Sequence, residues 1–441
     1  MKKKILVGIL ALVMVVSSAA GVLVYLPYLL NSEKGPFADV PYPRIQSYEY
    51  ADLSGQDASL ADLTRLDEPS TLTFDTSTVW PPEDKMPEGF SPQALMDEGK
   101  YLGLGLRGLH EQGITGRGTV VAVIDRPILK DHVEFGDRLT YHEVAPGDTD
   151  SALVSFHGAV ITGILAGEHG VAPDAKIHYF AVPNEDNIYG TSARAMDQIL
   201  ALNEILPAEE KVRIVVAAMA VNAYDEATGV AGASEWADAV KRAEDAGLIV
   251  VYPSMAALEL TGAGVKPGAD RDNPENYLPW TWTTAKRWVI QKIRDAGAKS
   301  WKDARKELIR LLTKQPELNS LQAEALNTYI YMAESYKETS TFENWIAAAD
   351  GDLSNSVAIP VDCITVATAD SEESYTYYGT GGLSWASSYV AGLMALGLQV
   401  NPSGTGDALL QAVKDTAVPL VAGGKIVNPV GFIEAVGSSK R

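Results

Sequence analysis

Short apolar runs alternate with amphipathic segments between residues 118 and 255. The runs GTVVAVID, AKIHYFAV, KVRIVVAAMAV and LIVVYPSM are rich in β-branched residues, and the helical patterns TSARAMDQILALNEIL and GASEWADAVKRAEDAG separate the last three of them. Strands buried in a parallel sheet read as continuous apolar runs, and amphipathic helices usually connect such strands. The pattern predicts an α/β fold, an open, doubly wound parallel sheet with helices on both faces.

A different pattern follows residue 265. Residues 266–350 contain the helical stretches TTAKRWVIQKIRDAG, SWKDARKELIRLLTKQ and NSLQAEALNTYIYMAESYKE, with no strand pattern between them. We predict a helical insertion at about 266–350, either a lid or a passive elaboration, whose basic side chains are typical of a solvated face. The sheet pattern returns with CITVATAD, followed by the apolar helix GGLSWASSYVAGLMALGLQV. The sequence thus predicts one α/β domain over residues 93–441, interrupted by the insertion.

The first 31 residues carry the clearest topological signal. MKKK precedes an uncharged apolar segment, residues 5–30, which is long enough to cross a bilayer as a helix. The three lysines favour a cytoplasmic N-terminus. We therefore expect a transmembrane signal anchor over residues 1–31, with the rest of the chain extracytoplasmic at the cell membrane. A cleaved signal peptide is the alternative, because SSAAG offers a cleavage site, and it would make the protein secreted.

Residues 32–92 are rich in Pro, Asp, Ser and Thr and have few long periodic stretches. This composition predicts an extracytoplasmic stalk or linker. A linker that packs on the later domain is favoured over an inhibitory propeptide, because TLTFDTSTVWPPEDKMPEGF lacks a compact βαβ pattern.

The composition limits the partners and cofactors. The chain has 36 Lys and Arg against 57 Asp and Glu, a net charge of −21, which argues against nucleic acid or anionic lipid as a partner of the whole chain. Its one cysteine, Cys363, excludes an internal disulfide, and the apolar run VDCITVAT predicts a buried, unreactive thiol. The histidines are scattered and no HExxH or EF-hand spacing occurs, so we expect no metal and no cofactor.

Three reactive side chains lie at the ends of predicted elements. Asp125 follows the run VVAVI, His157 begins the apolar stretch FHGAVITGILA, and Ser384 begins the helical pattern SWASSYVAG. Taken singly, the Asp and the Ser can be caps and the His a structural hydrogen-bond donor. Taken together, they supply what serine attack on a carbonyl needs, a base and a carboxylate that orients the base. A serine at a helix start also has free N–H groups near a developing oxyanion.

The chain order Asp, His, Ser and four segments around it resemble the subtilisin-like serine peptidases, or subtilases. The segments are GITGRGTVVAVID, FHGAVITGILAGEHGVAPDAKI, GASEWADAVKRAEDAGLIVV and GLSWASSYVAGLMAL, within about residues 113–416. The resemblance implies a serine endopeptidase that acts on proteins or peptides through an acyl-enzyme. It assigns Asp125 as the orienting acid, His157 as the general base and acid, and Ser384 as the nucleophile.

The chain also departs from the usual subtilase pattern. It has Arg126 and Pro127 where the family usually has Thr-Gly, and Ser388 where the family has proline. The family usually places an asparagine oxyanion donor after the strand matching LIVVYPSM, where this chain has Ser254 and no asparagine. Ser254, or Asn222 after the preceding strand, is the candidate replacement; loss of one such donor costs roughly a hundredfold to a thousandfold in turnover. A weak or inactive pseudoprotease, acting as an extracytoplasmic binding or scaffold protein, is therefore the alternative function.

Overall fold

The computed structural model describes most of the chain after the predicted anchor. The residues it describes are 48–144, 154–183, 187–218, 230–255, 257–265, 267–314, 318–335, 341–349, 356–421 and 423–439. The predicted transmembrane segment, residues 1–31, lies outside them, and so does Asn222.

The strands of the described residues are numbered in chain order. They are β1 (Thr73–Asp75), β2 (Val120–Asp125), β3 (Leu139–Glu143), β4 (Lys176–Ala181), β5 (Ile214–Ala217), β6 (Ile249–Val251), β7 (Leu260–Val265), β8 (Tyr277–Pro279), β9 (Val357–Pro360), β10 (Ile364–Ala367), β11 (Tyr375–Tyr378), β12 (Val418–Pro419) and β13 (Lys425–Ile426).

The α-helices are numbered in the same way. They are α1 (Pro92–Gly99), α2 (Leu106–Glu111), α3 (Phe156–Ala166), α4 (Ile188–Ile205), α5 (Ala233–Asp245), α6 (Thr281–Asp295), α7 (Trp301–Lys314), α8 (Ser320–Ser335), α9 (Phe342–Ala349), α10 (Leu383–Val400), α11 (Gly406–Thr416) and α12 (Pro429–Ser438).

The central sheet has five strands in the order β3-β4-β2-β5-β6, and all of its pairings are parallel. Along β2, Val121 and Val123 belong to the apolar cluster that contains residues of α3 and α10. The alternate residues, Val120, Ala122 and Ile124, belong to the cluster that contains residues of α4 and α5. Both faces of the sheet are therefore covered by helices, as the continuous apolar runs predict, and the expected α/β class with a parallel sheet is confirmed.

Two further sheets lie outside the predicted parallel sheet, and the run CITVATAD, predicted to return to that sheet, forms β10 in one of them instead. A mixed sheet has the order β12-β13-β9-β7-β8, and an antiparallel one has the order β1-β11-β10. The sequence predicts helices alone between residues 266 and 350, but β8 lies within this range and pairs with β7. At three residues, β8 is too short to produce a recognisable periodicity. Most of the rest of the described range is helical, as predicted, and α6, α7, α8 and α9 pack on one another.

The described part of segment 32–92 packs on the later chain. Its strand β1 pairs with β11 and places Phe74 opposite Tyr377. The Phe74 and Tyr377 rings stack with their centroids 5.2 Å apart, and Phe74 also meets the rings of Trp80 and Phe90 edge-on, at 5.0 and 6.5 Å. Leu53, Leu66 and Leu72 complete the same buried cluster. The N-terminal segment is thereby joined to the strand that leads towards Ser384.

Helix α10 runs through the middle of the molecule, and most of its side chains are buried. Within the described residues it is the one helix long and apolar enough to cross a bilayer, but 78% of that window is buried inside the protein. Its apolar composition is therefore explained by its position in the core, where it packs against α3 and the central sheet.

Candidate active site

Asp125 is the last residue of β2 and lies at the carboxyl edge of the central sheet. Its side chain is 7% exposed. Its Oδ1 accepts a hydrogen bond from the backbone N–H of Arg126 at 2.8 Å. Because carboxyl ends of parallel strands meet at one edge, this is where α/β sheets commonly place reactive groups.

His157 is the second residue of α3, and its backbone N–H donates to the cap residue Ser155 at 3.1 Å. Its Nδ1 lies 3.0 Å from Asp125 Oδ1 and 2.9 Å from Asp125 Oδ2. The ionised carboxylate can only accept, so in this arrangement Nδ1 carries the proton and Nε2 presents a lone pair. The imidazole is therefore oriented with its accepting nitrogen away from Asp125.

Close packing of α3 on the sheet fixes the position of His157. A Cβ on Gly158 would lie 2.0 Å from Tyr179 Oη and 2.9 Å from the carbonyl oxygen of Arg126. The Tyr179 hydroxyl donates to that same carbonyl, which belongs to the residue after Asp125. Only a glycine leaves room for this approach, so Gly158 lets the start of α3 lie directly against the end of β2.

Ser384 is the second residue of α10, after Gly382 as the cap. Its Oγ lies 3.1 Å from His157 Nε2, the nitrogen that can accept the hydroxyl proton. The N–H groups of the first turn of a helix have no intrahelical partners and carry partial positive charge. The hydroxyls of Ser387 and Ser388 donate to the Ser384 carbonyl at 2.6 and 3.4 Å, so the serine that replaces the usual proline has a partner within the helix.

The three predicted side chains are thus brought together. Residues 125, 157 and 384 are distant in sequence, yet one histidine bridges a carboxylate and a hydroxyl. Nucleophile, base and orienting acid within hydrogen-bond distance form the arrangement that activates a serine for attack on a carbonyl.

The loop that leads into Ser384 is held by residues that the sequence analysis did not identify. Asp362 Oδ1 accepts from the backbone N–H of Gly381 at 2.9 Å. Trp280 Nε1 donates to the carbonyl oxygen of Gly381 at 2.9 Å. A Cβ at Gly381 would lie 1.9 Å from the carbonyl oxygen of Val361, so the loop also requires a glycine here.

Asp362 links this loop to the helical insertion. Its Oδ2 accepts from the backbone N–H of Thr281 at 2.8 Å and from the Thr281 hydroxyl. Burial raises the pKa of Asp362 to about 7, although these hydrogen bonds oppose the shift. The available sequence signal for Asp362 was an acidic residue inside the apolar run IPVDCITVAT.

The neighbouring Cys363, predicted to be unreactive, has a thiol pKa raised by burial to about 12, which disfavours the reactive thiolate.

The two candidate oxyanion donors stay predictions. Ser254 is exposed in the turn after β6, at the same edge of the central sheet as Asp125. The hydrogen bonds that join the three side chains described above do not include it. Asn222 lies outside the described residues.

Within the described part of the chain, no group of three or more His, Cys, Asp or Glu side chains is arranged to hold a metal ion.

Comparisons with known proteins identify a family for the chain. Among solved structures, the chain is similar to a protease from Pseudoalteromonas arctica PAMC 21717, with 14% identity, a TM-score of 0.45 and coverage of 78% of this chain and 98% of that one. It is also similar to the subtilase cytotoxin SubAB, with 16% identity, a TM-score of 0.44 and coverage of 77% and 96%. The prenylagaramide maturation protease PagA has 15% identity, a TM-score of 0.41 and coverage of 75% and 98%.

No curated protein sequence has significant similarity to the chain. A sequence model of the subtilase family, Peptidase S8, matches residues 116–432, which is well over half of the 441 residues. The chain therefore belongs to the subtilase family, and this membership implies serine protease activity.

Proposed function

We propose that the protein is a serine endopeptidase that hydrolyses peptide bonds with Ser384 as nucleophile, His157 as general base and acid, and Asp125 as the orienting acid. The observation that carries the proposal is the pair of contacts made by one imidazole. His157 Nδ1 lies 2.9 Å from Asp125 Oδ2, and His157 Nε2 lies 3.1 Å from Ser384 Oγ.

In the first half of the reaction, Ser384 Oγ attacks the carbonyl carbon of the peptide bond while its proton passes to His157 Nε2. Asp125 stabilises the imidazolium that forms. The tetrahedral oxyanion is stabilised by N–H groups at the start of α10, with Ser254 or Asn222 as the candidate second donor. The C–N bond then breaks, the leaving amine takes the proton from Nε2, and the acyl group stays on Oγ.

In the second half, water attacks the acyl-enzyme. His157 Nε2 accepts a proton from the water as it attacks, and then returns a proton to Ser384 Oγ as the C–O bond breaks. The products are a carboxylic acid and the regenerated serine, so no cofactor is consumed and each bond is formed and broken by groups of the chain and by water.

An active-site probe tests the proposal. A fluorophosphonate should label the wild-type chain covalently, because it reacts with an activated serine, and should fail to label Ser384→Ala. Ser387→Ala is the matched control, since its hydroxyl lies one turn further along α10 and donates to the Ser384 carbonyl; it should still be labelled. Equal labelling of wild type and Ser384→Ala would overturn the assignment of the nucleophile.

The alternative function is a weak or inactive pseudoprotease with a binding or scaffold role. It is favoured by one observation, the absence of an asparagine in YPSMAALE after β6. A wild-type chain that is folded but neither labelled by the probe nor able to cleave an unfolded protein substrate would support this alternative over the endopeptidase.

We also propose that residues 1–31 anchor the protein in the cell membrane with the catalytic residues extracytoplasmic, cleavage and secretion being the alternative. The apolar segment 5–30 and the preceding MKKK support it. Membrane fractions washed with alkaline carbonate should retain the full-length protein, and protease added to intact cells should digest it. Recovery of a shortened protein in the medium would contradict the anchor.

A further inference from the structure

A small cavity lies next to the loop that leads into Ser384. Three parts of the chain line it: the N-terminal segment, the helical insertion, and the loop itself. Its walls include Asp52, Trp280, Trp282, Glu324, Thr380 and Gly381. The space available to a bound group is about 30 Å³, which is enough for one or two groups the size of a water molecule.

Two carboxyl groups of this cavity, those of Asp52 and Glu324, form no ion pair with any residue that the structure describes. Asp52 is 2% exposed, and although its Oδ1 accepts from the Ser54 N–H at 2.8 Å, its buried Oδ2 has no hydrogen-bond partner. Burial raises the pKa of Asp52 to about 7 and that of Glu324 to about 8. Among the described residues no hydrogen bond or ion pair is made by Glu324. Each carboxyl would therefore gain from a cation placed in the cavity.

Uncharged groups of the cavity also suit a cationic occupant. The buried Oγ1 of Thr380 has no hydrogen-bond partner and can accept from an N–H donor. Trp280 and Trp282 contribute indole rings, which attract cations through their π faces. A cation of this chain already approaches both rings, since Lys286 Nζ lies 5.7 Å from the centre of the Trp280 ring and 5.5 Å from that of Trp282.

The mixture of groups favours an organic ammonium over a metal ion. Calcium takes six to eight oxygen ligands, and magnesium requires a nearly octahedral set. The cavity instead combines two carboxyl groups with two indoles, and the described residues contain no cluster of three metal-ligating side chains. A primary ammonium group is about the size of a water molecule, donates three hydrogen bonds and binds to indole faces.

The position of the cavity connects it with the substrate. Thr380 and Gly381 directly precede Gly382, the cap of the helix that carries the nucleophile. A Cβ on Gly382 would lie 3.3 Å from Ser384 Oγ, so the loop that forms one wall of the cavity also borders the reactive hydroxyl.

We propose that this cavity is a subsite for a primary ammonium group of the peptide substrate, held by Asp52 and Glu324 against Trp280 and Trp282. The inference rests on the proposed function, because it treats the neighbouring Ser384 as the reacting residue. The ammonium can come from a lysine side chain or from a peptide's α-amino terminus. In either case the N-terminal segment and the insertion, which supply the carboxyl groups, determine substrate preference.

Binding to the full-length Ser384→Ala variant tests the subsite without any chemistry. The probes are Nα-acetyl-lysine amide, its Nε-acetylated derivative, and glycine amide, which has an α-amino group and no lysine side chain. Titration calorimetry or ligand-observed NMR should detect binding of Nα-acetyl-lysine amide or glycine amide, and the stronger of the two identifies the source of the ammonium. Nε-acetyl-lysine amide with its α-amine blocked should bind at least tenfold more weakly than the preferred amine.

Matched variants locate the binding site. Asp52→Asn should weaken binding of the preferred amine roughly tenfold to a hundredfold, since it removes a buried charged acceptor. Asp57→Asn is the control, because Asp57 is exposed in the same segment and accepts from Ser59. If Asp52→Asn does not fold, as judged by thermal unfolding, Glu324→Gln in α8 replaces it, with the exposed Glu343→Gln in α9 as its control.

Two results would overturn the subsite: equal binding of the amine and acetylated probes, or equal weakening by Asp52→Asn and Asp57→Asn. These outcomes differ from failure of the proposed function. A wild-type chain labelled by fluorophosphonate but without amine preference loses only the subsite. A chain that binds the amine but is not labelled retains an ammonium site and loses the peptidase.

Discussion

Two histidine–carboxylate pairs lie at opposite ends of α3. At its start, His157 Nδ1 is 2.9 Å from Asp125 Oδ2. Just after its end, His169 Nδ1 is 2.5 Å from Glu134 Oε1. The pairs differ in what surrounds them. The other nitrogen of His157 faces Ser384 Oγ, whereas within the described residues no hydroxyl or thiol is hydrogen-bonded to His169.

The carboxylate of the second pair has structural partners. Glu134 is 3% exposed, and its Oε1 also accepts from the Tyr375 hydroxyl at 2.8 Å. Its backbone carbonyl accepts from Arg138 and from the N–H of Glu168. These contacts fasten the loop before β3 and the strand β11 to the end of α3. A histidine–carboxylate pair therefore becomes a candidate for catalysis only where the second ring nitrogen meets a nucleophile.

The largest expected effect is the difference in kcat/KM between variants of His157 and variants of His169. His157→Ala removes the base and should lower kcat/KM by roughly 10⁴-fold to 10⁶-fold, the scale seen when one member of a triad is removed. His169→Ala should leave kcat/KM within a few-fold of wild type, because His169 does not contact Ser384. Peptidase assays on an unfolded protein substrate measure both. A comparable loss in the two variants would show that the comparison is wrong.

Substitution of the two carboxylates should also have different effects, on activity at Asp125 and on stability at Glu134. Asp125→Asn keeps the shape of the side chain but favours the wrong imidazole tautomer, and should lower kcat by about 10⁴-fold. Glu134→Gln should keep kcat and lower the melting temperature instead, because a buried charged acceptor is lost. Activity and thermal unfolding must be measured on the same samples. Loss of activity in Glu134→Gln without any change in melting temperature would contradict a structural role.

Asp125, His157 and Ser384 could be singled out because each follows or begins a strongly patterned element and because their order along the chain resembles that of the subtilases. Asp125 ends an unbroken β-branched run, and His157 and Ser384 begin helices rich in small residues. The carboxyl edge of a parallel sheet brings such positions together whatever their separation along the chain. Their convergence is therefore a consequence of the fold that the apolar pattern already indicates.

The contacts around Asp125, His157 and Ser384 could not be predicted in this way. Asp362 is a single acidic residue in an apolar run, and nothing local indicates that its partners are Thr281 and Gly381. Asp52 lies in a segment whose composition predicts a linker, and Glu324 lies on a helix of an insertion. The cavity that they line depends on how three distant segments pack, and tertiary packing of this kind leaves no periodic signal in the sequence.

A smaller effect concerns the loop that carries Ser384. Thr281→Val removes the hydroxyl that donates a hydrogen bond to Asp362 Oδ2. This oxygen then accepts only from the backbone N–H of residue 281. Because Asp362 also holds Gly381, the loop should shift, and a displacement near 1 Å can cost up to about a hundredfold in rate. We expect a roughly tenfold lower kcat with little change in KM. Thr281→Ser keeps the hydroxyl and should restore kcat; failure to restore it would count against positioning through Asp362.

The smallest expected effect is the pH dependence that the His169–Glu134 pair gives to the melting temperature. Hydrogen bonding to Glu134 is the largest cause that raises the pKa of His169 above its ordinary 6.5. Burial would raise the pKa of Glu134, but the His169 and Tyr375 hydrogen bonds outweigh it and hold that pKa below its ordinary 4.5. Because folding raises the pKa of His169, this residue stabilises the fold below about pH 6.5, and the contribution is lost as the pH rises through the folded pKa. Because folding lowers the pKa of Glu134, this residue stabilises the fold above about pH 4.5, and the contribution is lost as the pH falls through the folded pKa.

The two contributions overlap between about pH 4.5 and 6.5, where His169 is charged and Glu134 is ionised. The difference in melting temperature between wild type and His169→Gln should therefore be largest near pH 5.5 and smaller at pH 8. Since the His169 side chain is 38% exposed, solvent screens the pair and the difference should amount to only a few degrees. The control is His110→Gln, because the His110 ring contacts the Val171 carbonyl and, among the residues that the structure describes, no carboxylate; this variant should show no maximum in this range. A difference for His169→Gln that stays constant from pH 4 to pH 8 would mean that the pair contributes through packing and not through charge.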